Sequence, residues 1–328
     1  MSIEVSIILP ILNEEPYIEK CLKSIISQDF PKDKLEVLLV DGKSTDNTRQ
    51  IIEYYQKRYS FIKLITNPNK IVPTAMNMGI NRAKGNFIVR MDAHCEYDPN
   101  YVSNCIQSLR KTSAENVGGP MKARGINYLG QAIAAVHHCF FGLGGAKFHD
   151  EKYEGYVDTV YLGAFRKELF NKIGLYNEKL VRNQDIELNS RIIRNGGKIY
   201  LTPDIKSYYY NRSSLRKLWR QNFENGRWNI YTTSISANTL SLRHFIPFLF
   251  VVSLIISSIF SIFSVMGKLI LMFIVATYLS LSLAFSLKIS LNNNIQLIPS
   301  LPLVFLILHV SYGMGSLWGV LTVRKFKS

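Results

Sequence analysis

The first third of the chain alternates between short, continuous apolar runs and longer segments in which apolar residues recur every three or four positions. The runs predict buried strands, because apolar stretches of this length are typical of a sheet that is covered on both faces. They lie at 5–10, 35–40, 61–65 and 86–91. The intervening segments predict helices, with Asn13 capping the first and Ser44 the second. This alternation predicts an α/β fold with a largely parallel sheet.

Polar residues follow three of these predicted strands. In open α/β sheets the carboxyl ends of the strands form the crevice where ligands bind, so these residues are expected to converge. They are Asn13-Glu14, Asp41-Gly42 with Asp46, and Asp92-Ala93-His94. A carboxylate and an imidazole are both ligands of divalent cations, which makes Asp92 and His94 a candidate metal site. The alternative is that Asp92 begins a turn and His94 caps it.

The last part of the chain is much more apolar than the rest. The stretches 245–266 and 269–287 are each long enough as helices to span roughly 30 Å of hydrocarbon, and Gly267-Lys268 leaves a tight turn between them. A third stretch, from about 298 to 323, contains prolines and glycines. Three crossings would put the basic end of the chain outside, against the positive-inside tendency, whereas a re-entrant or in-plane segment removes that conflict. The sequence leaves both topologies open.

A basic amphipathic helix, capped by Ser213, is expected just before this apolar part. The predicted organisation is a catalytic domain at 1–211, the interfacial helix and linker at 212–243, and a membrane domain at 244–328. The chain has 39 Lys and Arg against 24 Asp and Glu, a formal charge of +15. Because the basic helix adjoins the apolar segments, the charge favours anionic lipid over nucleic acid as a partner.

The cysteines and the first residues of the chain bear on its cellular compartment. The four cysteines contain no CxxC pair, so free thiols in a reducing compartment are expected. The first residues lack a basic region followed by an apolar one, so no secretory signal is predicted and the polar part is expected in the cytosol.

Five motifs, taken in order, resemble family-two glycosyltransferases of the GT-A fold, and more narrowly the succinoglycan-type exopolysaccharide glucosyltransferase branch. The resemblance covers about residues 3–230. The motifs are Leu12-Asn13-Glu14-Glu15, Val40 to Asp46, Arg90 to His94, Val157-Asp158-Thr159 leading to Gly163, and Asn183 to Leu188. The resemblance implies a Rossmann-like GT-A domain followed by transmembrane helices.

The resemblance also implies a donor site. Asp41 would accept a hydrogen bond from the imide N–H of uracil, and Asp92 would be the first acid of the metal motif. The third motif position is His94 where the wider family has an acid, which fits the narrower branch and favours Mn²⁺ somewhat over Mg²⁺. The nucleotide-sugar-binding residues implied are Pro10, Asn13, Glu14, Asp41, Ser44, Asp46 and Arg90.

On the acceptor side, the resemblance implies that Asp185 is the general base of an inverting displacement, with Glu187 as the second candidate. The alternative is that both acids simply favour a helix N-terminus. Residues expected near the acceptor or the diphosphate are Gln184, Gln221, Arg227 and Trp228. Five residues separate Gln221 from Arg227, so the Gln-x-x-Arg-Trp motif of processive synthases is not met.

The sequence therefore predicts a membrane-anchored hexosyltransferase that uses a nucleotide sugar, expected to be UDP-linked, and a polyprenyl-linked saccharide acceptor. Two alternatives remain at this point. One is a polyprenyl-phosphate glycosyltransferase that charges the lipid carrier itself. The other is a membrane-anchored nucleotide-binding scaffold without turnover.

Overall fold

The structure is a computed structural model that describes residues 2–211, 214–236, 239–292 and 294–327. The chain divides into two compact units. The first contains the residues up to Lys122 together with Lys147–Tyr209, and the second contains Ala123–Ala146 and the chain from Tyr210 onward. The segment 123–146 therefore groups with the apolar C-terminal part, although the sequence places it within the predicted catalytic domain.

Eleven strands occur among the described residues. They are β1 Val5–Ile11, β2 Leu35–Asp41, β3 Ile62–Thr66, β4 Phe87–Arg90, β5 Cys95–Tyr97, β6 Asn116–Gly119, β7 Met121–Arg124, β8 Gly155–Val157, β9 Tyr161–Arg166, β10 Ile199–Leu201 and β11 Ser207–Tyr210. Eight of them form one sheet in the order β3-β2-β1-β4-β9-β6-β10-β8, and β5-β11-β7 form a second, smaller sheet.

The main sheet begins as predicted and then changes direction. Strands β1 to β4 pair in parallel. The side chains of β1, β2 and β4 are almost entirely buried, which is why these strands read as continuous apolar runs, whereas β3 at the sheet edge is only partly buried. Beyond them, β9 runs antiparallel to both β4 and β6. The α/β fold class is confirmed, with a mixed sheet. Residues 158–160 separate β8 from β9, so the apolar positions at 157–162 do not form one continuous strand.

Twelve α-helices occur in the described ranges, with short 3-10 turns between some of them. They are α1 Glu15–Ile26, α2 Thr48–Arg58, α3 Val72–Arg82, α4 Tyr101–Lys111, α5 Tyr128–His137, α6 Phe140–Leu143, α7 Leu169–Ile173, α8 Gln184–Arg194, α9 Leu215–Ile235, α10 Ile246–Phe263, α11 Val265–Asn292 and α12 Leu301–Lys327. The buried faces of α3 and α8 contribute to one core with β1, β2 and β4.

The two predicted helix caps in the first unit are wrong. Glu14, not Asn13, precedes α1, and α2 begins at Thr48 after Asn47 rather than at Ser44. Asn13 has a left-handed backbone with φ of 55°, a conformation that asparagine tolerates well. Both side chains instead bind neighbouring loops, where short polar groups compete effectively for backbone partners.

The second unit contains three helices that are long and apolar enough to cross a membrane, namely α10, α11 and most of α12. The tight turn between the first two lies at Ser264, whose backbone is extended, and not at Gly267-Lys268 as predicted. Gly267 lies inside α11, where a Cβ would overlap with the backbone of Phe260. The glycine therefore permits close packing of the two helices rather than a turn.

The basic helix predicted before the apolar segments is α9. Its cap is Ser214, whose side chain accepts a hydrogen bond from the Lys217 backbone amide, and the predicted cap Ser213 lies outside the described residues. Arg216, Lys217 and Arg220 are exposed, as expected for an amphipathic helix. The opposite face is buried, and Leu218 packs in a core with residues of α5 and α12.

Candidate active site

The ends of β1 and β2 are joined by reciprocal hydrogen bonds between the loops that follow them. Ile11 is in register with Asp41. The Asn13 backbone amide donates to Ser44 Oγ over 2.9 Å, and Asn13 Oδ1 accepts from the Thr45 amide over 2.8 Å. Pro10 lies at the same end of β1 and is partly exposed. The structure therefore brings together the first two of the three predicted strand ends.

Asp41 is enclosed by its neighbours. Its carboxylate accepts from Ser44 Oγ over 2.6 Å and from Arg49 Nη1 over 3.1 Å, and its side chain has no exposed surface. The Arg49 side chain that pairs with it is 38% exposed. The uracil contact expected of Asp41 stays a prediction.

Asp46 holds the two loops together. One of its carboxylate oxygens accepts from the Glu15 amide over 3.2 Å and the other from the Thr48 amide over 3.1 Å. Burial by itself raises the pKa of Asp46, but these donors, with the Thr48 side chain first among them, lower the pKa overall. An ionised Asp46 thus fixes the loop geometry.

Arg90, the last residue of β4, joins two acids that are far apart in sequence. Its Nη1 donates to Asp185 Oδ1, and its Nη2 lies 3.4 Å from Asp92 Oδ1. The Arg90 side chain is buried, since β4 lies between β1 and β9 at the centre of the sheet. A buried guanidinium needs compensating charge, and here two carboxylates supply it. The arrangement places the predicted metal-site acid and the predicted base on one cation.

Asp185 lies in the first turn of α8, after Asn183, whose left-handed backbone with φ of 60° begins the helix. Its side chain is 31% exposed, so a hydroxyl can approach it. Burial raises the pKa of Asp185, the Arg90 charge opposes this, and the Asp92 charge raises the pKa further, with a net upward direction. A carboxylate whose pKa is raised towards neutrality is better suited to accept a proton.

Glu187, the second candidate base, has a different environment. It is buried, and Arg191 donates to its two carboxylate oxygens over 2.8 and 2.9 Å. Arg191 also donates to the carbonyls of Ile173 and Leu175. This ion pair ties α8 to the segment after α7, so Glu187 has a structural role and Asp185 is the better candidate base.

Asp92 and His94 have side chains of the types that bind divalent cations, and their metal role stays a prediction. Glu14 Oε1 lies 3.2 Å from His94 Nδ1, and a carboxylate on one ring nitrogen is the usual orienting partner of a metal-bound histidine. The Tyr97 hydroxyl bridges the backbone amide and carbonyl of Asp92, which holds the loop in place. Within the described part of the chain, no three His, Cys, Asp or Glu side chains are placed to hold a metal by themselves. Mg²⁺ and similar cations are commonly bound by one or two protein ligands plus substrate phosphates.

The remaining predicted residues divide between the two units. Gln184 is buried beside Asp185, and its Oε1 has no hydrogen-bond partner among the described residues. Gln221, Arg227 and Trp228 lie on α9 in the second unit, where Arg227 pairs with Glu224 over 2.6 Å and Trp228 is buried. Their role near the acceptor stays a prediction.

Among the residues of the first unit that sequence reasoning missed, Arg49 and Tyr97 contact predicted site residues. Arg49 binds Asp41, and Tyr97 binds the Asp92 backbone. Arg49 is the second residue of α2, and a cation eight positions after a strand-end acid is a recognisable signal. No local pattern marks Tyr97, because its position depends on the antiparallel pairing of β5 with β11.

Comparison with known proteins decides the family. Residues 6–174, just over half of the chain, match the profile described as Glycosyl transferase family 2. The chain belongs to glycosyltransferase family 2. The protein is therefore a glycosyltransferase of the GT-A fold, and the alternative of a binding scaffold without turnover is not favoured.

Two relatives and one solved structure illustrate the similarity. A Methanococcus voltae enzyme described as a dolichyl N-acetyl-glucosaminyl phosphate diacetamido-dideoxy-glucuronosyltransferase is 34% identical over 68% of this chain and 71% of its own. The succinoglycan biosynthesis protein ExoA of Rhizobium meliloti is 28% identical over 67% of each chain. The Pyrobaculum calidifontis mannosyltransferase PcManGT, solved with GDP-Man and Mn²⁺, has a TM-score of 0.61 at 17% identity and covers 98% of this chain and 88% of that one. By sequence identity the glycosyltransferase is more similar to the archaeal relative than to the succinoglycan protein. The comparison therefore supports the family but not the succinoglycan-type branch in particular.

Proposed function

We propose that this glycosyltransferase transfers one hexosyl unit from a nucleotide sugar to a polyprenyl-linked saccharide at a membrane, with inversion at the anomeric carbon. The observation that carries the proposal is the contact of Arg90 with both Asp92 and Asp185. It places a candidate donor-side acid and a candidate base at the end of the same strand. The apolar helices of the second unit support a bilayer-bound acceptor, because anchoring raises the effective concentration of the enzyme beside it.

In this mechanism the loops after β1 and β2 bind the nucleoside, with Asn13 and Ser44 fixing the wall of the pocket. Asp185 accepts the proton of the acceptor hydroxyl as that oxygen attacks the anomeric carbon. The bond from the anomeric carbon to the phosphate oxygen breaks in the same displacement, and the nucleoside diphosphate leaves. The buried Arg90 holds Asp185 towards the reacting atoms.

Asp92 and His94 fit a divalent cation, Mn²⁺ or Mg²⁺, because a carboxylate and a carboxylate-oriented imidazole are suitable donors. Such a cation supplies charge neutralisation to the departing diphosphate. The Mn²⁺ in the mannosyltransferase structure supports the assignment.

The donor is proposed to be UDP-linked because the resemblance assigns Asp41 to a uracil imide. The catalytic part is proposed to face the cytoplasm, with a multi-pass anchor in the cell membrane. Transfer to a polyprenyl phosphate remains a second candidate, since the archaeal relative is described by a dolichyl phosphate-linked substrate.

A transfer assay on purified, full-length protein in lipid nanodiscs tests the proposal. UDP- and GDP-sugars are each supplied with Mn²⁺ and either a polyprenyl-diphosphate-linked saccharide or a polyprenyl phosphate. We expect a UDP-sugar to extend the saccharide, with the inverted anomer visible by NMR. Transfer only to polyprenyl phosphate would replace the proposal with the lipid-charging alternative, and no transfer or donor hydrolysis by folded protein would refute it.

The pH dependence of transfer should reveal the base. Because the folded pKa of Asp185 is raised, part of the protein stays protonated and inactive above pH ~4, the ordinary range of an aspartate. At saturating donor we expect kcat to rise with pH through that raised value. In Arg90→Gln the opposing positive charge is lost, so the acid limb should move to higher pH. A limb at the ordinary aspartate value, or one that moves down in the variant, would contradict the assignment.

A further inference from the structure

Helices α9 and α12 of the second unit pack in parallel along most of their length. Contacts follow the same direction along both helices. Leu218 packs in one cluster with residues near the start of α12, and the Tyr231 hydroxyl lies 2.7 Å from Thr322 Oγ1. Glycines make the approach close, since a Cβ at Gly226 would overlap with Tyr312 and one at Gly315 with Phe223. Wherever α12 lies relative to a bilayer, α9 lies there too.

The hairpin of α10 and α11 provides a depth scale. The two helices run antiparallel from Ser264, and Phe250 stacks on Tyr278 with ring centroids 4.7 Å apart. Helix α10 has 18 residues, so at about 1.5 Å per residue it is only just long enough to cross the hydrocarbon. Its first turn must therefore lie at the bilayer boundary, directly after Arg243 and His244.

The middle of α12 lies at this same boundary. A Cβ at Gly313 would overlap with the Pro247 carbonyl and contact Val251, both in the first turns of α10. The first half of α12 packs beside the end of α11, which is ten residues longer than α10 and carries Lys288 and buried serines in its excess. The start of α12, around Leu301 and Val304, packs with Ile289 near the end of α11 and accordingly lies outside the hydrocarbon, while His309, which contacts Tyr278, lies near the boundary.

The second half of α12 is too short and too basic to cross. From Met314 it extends 14 residues to Lys327, about 21 Å at 1.5 Å per residue, against roughly 30 Å of hydrocarbon. Running straight in, it would leave Arg324 and Lys325 near the bilayer centre, where charges are costly. The Glu224–Arg227 pair of α9, with side chains 25% and 29% exposed, would enter with it.

The exposed face of this half fits a membrane surface. Met314, Trp318 and Leu321 are 39%, 49% and 69% exposed, and their spacing of four and three places them on one face. Lys325 continues the same face and Arg324 adjoins it. Tryptophan concentrates at membrane–water boundaries, and basic residues at such a face favour anionic lipids.

We propose that the second half of α12, together with α9, lies along the membrane surface and binds the headgroup region of an anionic leaflet through this face. Of the described helices, only α10 and α11 then cross. An even number of crossings returns the basic end of the chain to the side on which α10 begins, in agreement with the positive-inside tendency. The proposal rests on the hairpin crossing a bilayer, and it does not depend on the donor, the acceptor or the reaction.

Spin-label depth measurements on the full-length protein in nanodiscs test it. Labels are placed singly by Met314→Cys and Leu321→Cys, in a background in which the partly exposed Cys139 is replaced by Ser. Matched controls are Ile256→Cys and Phe273→Cys, which lie on exposed positions of α10 and α11 about equally far from Ser264. Relative access to oxygen and to a water-soluble nickel complex reports the depth of each label.

We expect the two α12 labels to lie at the same shallow depth and the two controls to lie deep. A label at Leu321 about 10 Å deeper than one at Met314, the rise of seven helical residues, would overturn the proposal. So would a C-terminal tag on the opposite side of the membrane from a tag at the N-terminus. Labels shielded from both reagents would indicate a protein contact, such as a second copy, and equal immersion with and without phosphatidylglycerol would refute the preference for anionic lipid.

Discussion

Replacing Asp185 by Asn is expected to reduce kcat for glycosyl transfer by roughly a hundred- to ten-thousandfold, the range that a positioned general base contributes. The substitution preserves the shape of the side chain and its contact with Arg90 through the amide oxygen. Arg90 also keeps Asp92 as a charged partner, so the buried cation is not left alone. Donor binding, measured as nucleotide-induced thermal stabilisation, should be retained.

Glu187→Gln is the matched control for this experiment, because the residue lies two positions further along α8 and is also an acid. It should lower the melting temperature by weakening the ion pair with Arg191, while kcat of the folded fraction stays within a few-fold of wild type. If the Gln variant lost transfer and the Asn variant kept it, the base would be Glu187 and the geometric argument for Asp185 would be wrong.

Replacing Asp92 by Asn is expected to abolish metal-dependent binding of the donor nucleotide. A ligand that binds only the native state stabilises it by RT ln(1 + [L]/Kd), about 2.7 kcal/mol at a hundredfold excess over Kd. Wild-type protein with UDP and Mn²⁺ should therefore show a clear rise in melting temperature, and Asp92→Asn should show almost none. The unliganded variant should stay folded, because Tyr97 binds the backbone of this residue rather than its carboxylate.

Glu168→Gln serves as the control, since it removes an exposed carboxylate of the same unit. Glu168 follows β9, whose end pairs with the start of β4, so it lies at the edge of the sheet opposite Asp92. It should leave the nucleotide-induced shift unchanged. A shift that persists in Asp92→Asn, at the same Mn²⁺ concentration, would remove Asp92 from the donor site. A shift with GDP but not with UDP would retain the site and change the proposed nucleotide.

The convergence of the strand ends is one feature of the site that could be predicted from the sequence. Continuous apolar runs must become buried strands, and parallel strands must bring their carboxyl ends to one edge, so Asn13, Asp41 and Asp92 were identifiable from order alone. The structure confirms their placement, while their roles in binding stay predictions. The apolar helices were equally readable, because a length of about 20 apolar residues suffices to identify a candidate span.

The partners of those residues were decided by the tertiary structure. Asp185 lies 95 positions from Arg90 in sequence, and the two side chains meet only in the folded chain. The choice between Asp185 and Glu187 likewise depended on which acid Arg191 neutralises. Neither pairing leaves a local trace, because each joins segments that contact only after the sheet has formed.

What the sequence by itself determined is the set of elements and the chemistry at their ends, since periodicity and residue type act over one or two turns. It misplaced the caps at Asn13 and Ser44 and the turn at Gly267, because a polar side chain or a glycine serves a distant backbone contact as readily as a local one. Only the tertiary structure decided three further features. These are the register of α9 on α12, the grouping of 123–146 with the C-terminal helices, and the pairing of Arg90 with both Asp92 and Asp185. These depend on packing between segments distant in sequence, where shape and burial outweigh local preference.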